Sequence, residues 1–70
     1  MSVQRGVWIG TDKDGAPIAA EILRNWDGFR IVHSRNDKVF QTDHLKWEME
    51  ENEVFDYAET WINGERELNG

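Results

Sequence analysis

Apolar and polar residues alternate with a period of two through the first two thirds of this chain, then change to a helical period. Val7 and Ile9 alternate with Trp8, which predicts a strand over about 3–11. Asp12 to Pro17 is a turn cluster, with Gly15 to supply positive φ and the single proline to close it. Ile18, Ala20 and Ile22 form one face of a second strand, and Ala19, Glu21 and Leu23 the other. Asn25-Trp26-Asp27-Gly28 is a hairpin signal, because Asp-Gly suits a tight turn of the correct twist. Phe29, Ile31 and His33 then alternate with Arg30, Val32 and Ser34, and Arg35-Asn36-Asp37 makes the next turn. Val39 to Thr42 is extended again. Residues 43–50 fit two patterns. Leu45, Trp47 and Met49 match a strand at period two, while an Asp43 cap with Leu45 and Met49 fits a helix; the three period-two matches favour strand.

After Glu51 the apolar positions Val54, Phe55, Ala58, Trp61 and Ile62 fall on one arc of a helical wheel. Glu53, Asp56, Glu59, Thr60 and Asn63 fall opposite. Asn52 can cap the N-terminus, acids suit the positive end of the dipole, and Asn63-Gly64 can end the helix. The prediction is a helix over about 53–63 and a loose tail over 65–70. The rival, a hairpin turning at Asn63-Gly64, would leave the five-residue apolar arc on no single strand face. The fold expected is therefore α+β: an antiparallel meander of four to five strands within about 3–50, open or curled toward a small barrel, with one C-terminal helix packed on it. Trp47, Trp61, Ile62, Ala58, Val54, Ile22, Ile31 and Ile9 are the expected core. The face away from the helix should show Trp8, Leu23, Val32 and Phe40, a patch that calls for barrel closure, a second copy or a partner.

Seventy residues make one domain, 1–70, which must gain its stability without disulfides or a cysteine-based metal framework, because it has no cysteine. Four tryptophans, three phenylalanines and a tyrosine supply large apolar surfaces instead. No basic-then-apolar leader and no long apolar run are visible, so a cytosolic protein without membrane contact is expected.

Charge alters this picture most. Residues 1–42 carry six basic and five acidic side chains, a balance of +1; residues 43–70 carry two basic and nine acidic, a balance of −7. The net charge of −6 disfavours bulk DNA and anionic lipid and favours a basic partner.

Candidate chemistry is sparse. Asp12-Lys13-Asp14-Gly15 with Glu21 resembles part of a calcium loop, but the first ligand position would fall on Gly10, so a surface turn is the better reading. His33 and His44, with Asp43, lack zinc-ligand spacing, and a histidine at 33 that faces the core would need a hydrogen-bond partner. Ser2 and Ser34 have no base aimed at them. No enzyme, cofactor or metal is indicated. Arg24, Trp26, Phe29, Arg30 and Arg35 gather around one hairpin, with Arg24 and Arg30 expected cross-strand; interleaved arginines and rings can stack single-stranded nucleic acid, or bind a peptide.

The acidic run carries the leading expectation. Glu53, Asp56 and Glu59 lie one helical turn apart, and Glu48 and Glu50 continue the ridge on the preceding strand. The bland meaning is a solvated helix face. The sharper one is a carboxylate row spaced like a phosphate backbone, which would engage the basic surface of a nucleic-acid-handling host protein, as small inhibitors from phages and mobile elements do. Trp8, Trp26 or Tyr57 would add an aromatic anchor. The alternatives are the Arg24–Arg30 hairpin as a nucleic-acid or peptide site, and a homodimer with a structural or assembly role.

Overall fold

Three short connections set the topology. The computed structural model describes residues 2–46 and 49–65. Strands β1 (Val3–Thr11), β2 (Pro17–Asn25), β3 (Gly28–Arg35) and β4 (Lys38–Lys46) form one sheet in the order β1-β2-β3-β4, and helix α1 (Glu51–Ile62) follows. Every neighbouring pair is antiparallel. The sheet is open, so neither barrel closure nor a fifth strand is formed among the described residues: β4 ends at Lys46 and Met49 already lies in a bend.

Each turn follows from its residues. Asn36 and Asp37 have φ of 54° and 65°, the pair of positive values that lets a two-residue loop match the twist of β3 and β4. Between β2 and β3 the loop is Trp26-Asp27, because Asn25 pairs with Gly28. The expected Asp-Gly centre is displaced by one residue, and Gly28 instead absorbs the bend at φ 140°. At the β1–β2 connection Asp12 organises the loop. Its Oδ1 accepts from the Asp14 and Ala16 amides at 2.9 Å each, and its own amide donates to Ala16 O at 2.9 Å.

The helix begins two residues earlier than predicted. Glu50, not Asn52, is the N-cap, and the Glu53 side chain reaches back to the Glu50 amide at 3.5 Å. At the other end Gly64 takes φ 79°, its amide donates to Trp61 O at 3.0 Å and the Glu65 amide donates to Thr60 O at 2.8 Å. These two bonds are those of a Schellman stop, which removes the hairpin alternative at Asn63-Gly64.

The core lies between α1 and the inner face of the sheet. Ile18, Ala20 and Ile22 from β2, Phe29 and Ile31 from β3, and Val54 and Ala58 from α1 are buried. A fully buried Ile or Val contributes about 1.5–3 kcal/mol, so this short row and its flanking rings hold the domain together. Trp8, Phe55, Trp61 and Ile62 pack around it, with the Trp8 and Phe55 rings 5.1 Å apart.

Three face assignments, those of Ile9, Trp8 and Phe40, need correction. Ile9, expected in the core, is 78% exposed on the outer face, whereas Trp8 points under the helix. Inner β1 reads Gly6, Trp8, Gly10: the Trp8 ring lies over Gly6, and Ile62 closes on Gly10. Phe40 also turns to the helix side. A register shift between His33 and Ser34 bulges β4, and the Phe40 ring comes 6.0 Å from Trp61. Leu23 and Val32 stay on the outer face as predicted. Trp47, Glu48 and residues 66–70 of the tail predicted over 65–70 lie outside the described residues.

His33 is the buried polar residue of the core. Its Nδ1 lies 3.3 Å from Gln41 O and 3.8 Å from Asp43 Oδ2, and its ring meets Trp61 edge-on at 4.8 Å. His44 pairs with Arg30 in the sheet register and lies on the opposite, outer face. The two histidines therefore share no site.

Candidate functional site

Packing of Val54 and Ala58 into the core fixes the rotation of α1 and decides which acids face solvent. Asn52, Glu53, Asp56 and Glu59 are exposed on its far side. Residues three apart on a helix stand about 5–6 Å from each other, so Glu53, Asp56 and Glu59 form a row of carboxylates. Glu50 is exposed at the head of the row; Glu48 is outside the described residues. Among the described residues no cation pairs with Glu53, Asp56 or Glu59.

An open groove of about 740 Å³ runs beside this row, lined by Met49, Asn52, Glu53, Asp56, Tyr57, Thr60 and Glu65. Tyr57 is half-buried in its wall, and the Thr60 hydroxyl donates to Tyr57 O at 3.1 Å. Glu59 stands outside the groove on the other shoulder of the helix. Chemically, the site is three to four carboxylates around one phenol: acceptor-rich, suited to lysine and arginine side chains.

One acid of the helix serves the fold instead. Arg5 Nε lies 2.5 Å from Glu51 Oε1 and Arg5 Nη2 lies 3.3 Å from Glu51 Oε2. This bond raises the Arg5 pKa and lowers that of Glu51; in both, the side-chain hydrogen bond is the largest cause. The pair clamps the N-terminus of α1 to β1. A register shift between Gln4 and Gly6 leaves Arg5 at the bulge, and no pattern in the sequence announces that shift.

The other predicted site residues disperse. Trp8 is half-buried beneath α1, and Trp26 is 86% exposed at the β2–β3 turn. Arg24 pairs with Phe29, and Leu23 with Arg30, so Arg24 and Arg30 lie on opposite faces of the sheet rather than cross-strand. The Phe29 ring is buried at 4% exposure, unavailable for base stacking. Arg35 sits at the far end of β3, where its Nε meets Asp12 Oδ2 at 2.9 Å and its Nη2 meets Asp14 Oδ2 at 3.5 Å. Asp12 is held below the usual carboxylate range, first by the Ala16 amide and with a smaller contribution from Arg35. The arginine–aromatic hairpin is not assembled as one surface.

A second cleft, of about 520 Å³, opens between the end of α1 and the β2–β4 side, over Ile18, Phe40, Trp61 and Ile62. Its arginine, Arg35, is already committed to Asp12 and Asp14. Among the described residues no group of three His, Asp or Glu side chains is placed to hold a metal, and no helix is long and apolar enough to cross a membrane.

The fold and the site together define an α+β domain, a four-stranded antiparallel meander with one helix that presents carboxylates outward. The chain matches no family model, no curated protein and no solved structure.

Proposed function

We propose that this protein acts by binding rather than catalysis, and that the acidic face of α1 docks onto a basic surface of a nucleic-acid-handling protein, in the manner of a DNA-mimic inhibitor working in the cytosol. The observation that carries this reading is the division of labour among the helix acids. Glu51 is tied to Arg5, whereas Glu53, Asp56 and Glu59 are exposed in a row with no cation opposite them among the described residues. A row of unneutralised carboxylates costs self-repulsion, which a basic partner would relieve. The Tyr57 ring in the groove wall supplies an amphipathic contact next to the charges. Charge complementarity of this kind speeds and orients encounter more than it adds affinity.

The test spares Glu53, whose carboxylate also caps the helix. Tagged wild-type protein and an Asp56→Lys/Glu59→Lys variant would be used as baits in nuclease-treated bacterial lysate, with retained proteins read by mass spectrometry. A nucleic-acid-binding protein held by the wild type, lost by the variant and displaced by duplex DNA is the expected result. Equal retention by both baits would end the proposal.

A further inference from the structure

Among the described residues nothing covers the outer face of the sheet, and it is a different surface from the acidic helix. Val7, Ile9 and Val39 are 50%, 78% and 62% exposed there, around half-buried Leu23 and Val32. By register, Ile9, Ala19, Ser34 and Val39 form one cross-strand row, so the exposed side chains span all four strands. We propose that this face is a homodimer interface, on which a second copy of the chain packs sheet to sheet.

Charge selects the second copy as occupant. The charged positions that the register puts on this face are Glu21, Arg30 and, opposite Gly28, Lys46, so it carries none of the acidic excess of a chain of net charge −6. Two such acidic molecules repel in most orientations. Meeting here, they place their acidic helices at opposite poles, separated by two sheets about 10 Å apart. A basic partner would gain nothing from a face without acidic excess. Area agrees with this choice. Four strands about 4.8 Å apart and about 30 Å long give a face of roughly 19 × 30 Å before side-chain relief. That is about 570 Å² in projection, and the relief of the side chains raises the accessible area toward the roughly 800 Å² per partner of a stable interface.

The test is the mass and thermal stability of the whole chain across about a hundredfold range of concentration, since a dimer melts higher as it is concentrated. The wild type should sediment at twice 8.2 kDa when concentrated, with a melting point that rises with concentration. Ile9→Lys/Val39→Lys should sediment as a monomer at every concentration and dissociate at least tenfold more readily. Both positions are exposed, so the variant should keep the wild-type circular dichroism. Asp56→Lys/Glu59→Lys should dimerise at least as well as wild type, which separates this proposal from the one for the acidic face. A wild type that stays at 8.2 kDa throughout would overturn the interface. So would a double variant that dimerises normally, or a dimer whose β1 or β4 edge amides become protected from hydrogen exchange, since that marks edge pairing.

Discussion

Ile62 occupies the space that a side chain at Gly10 would need: a Cβ at Gly10 would stand 2.8 Å from Ile62 Cγ2. This close approach is how the last turn of α1 seats on β1. Gly10→Ala should therefore force the helix end outward, although alanine suits a strand better than glycine. The expected loss is about 1–3 kcal/mol, as for other overpacked sites. Urea unfolding should show it, and Ile62→Ala, which removes Cγ2, should cost less in the Gly10→Ala chain than in the wild type. Equal stability of Gly10→Ala and wild type would mean that α1 does not close on β1 in solution.

The Arg5–Glu51 pair predicts a pH dependence. Glu51 has a lowered pKa in the folded chain, so its contribution is present above the unfolded carboxylate value and disappears as pH falls through the folded one. Arg5→Ala should narrow the stability difference between neutral and strongly acidic pH. At the acidic end the variant and wild type should converge. Both side chains are partly exposed, so the effect is small and should shrink with added salt.

Asp12 separates hydrogen bonding from charge. Its Oδ1 accepts two loop amides. Asp12→Ala should lower the melting temperature at neutral pH, because both loop amides lose their acceptor. Asp12→Asn keeps an acceptor and should cost less, yet it should abolish this residue's share of the acid-induced loss. The sign is that of a lowered carboxylate: the contribution is present above the unfolded value and lost below the folded one. Thermal melts from neutral to acidic pH on the three proteins would check it.

At the β3–β4 turn Asp37 holds φ 65° without being glycine. Asp37→Gly should stabilise the hairpin by about 0.5–1 kcal/mol, because relief of left-handed strain outweighs the added unfolded-state freedom. A neutral or destabilising result would indicate a turn of another type.

The alternation of apolar residues made β1 to β4 legible in the sequence, and the amphipathic arc made α1 legible. Which side of each strand meets the helix was harder to read. For β1, hydrophobicity favours Val7 and Ile9 as the inner pair, yet the inner positions are Gly6, Trp8 and Gly10. The signal was present as two glycines spaced around a large ring, the arrangement a close-packed helix requires. Phe40 was not legible, since one extra residue in β4 reverses its face and nothing local specifies the bulge. The acidic row was readable because Val54 and Ala58 fix the helix rotation. Its contrast with Glu51 was not, because Arg5 comes from the far end of the chain. Asn52 was a reasonable cap by residue type, but the pairing of Glu50 with Glu53 starts the helix earlier.

The order β1-β2-β3-β4 has a consequence for synthesis. Each strand can pair as soon as it leaves the ribosome, because its neighbour has just preceded it, and such local pairing closes quickly. The core is different. Ile22 and Ile31 remain wet until Val54 and Ala58 arrive, and the seat for Ile62 stays vacant until that residue is made. Nascent chains that stop before α1 therefore carry a sheet bare on both sides, and the helix is the step that turns a ribbon into a domain.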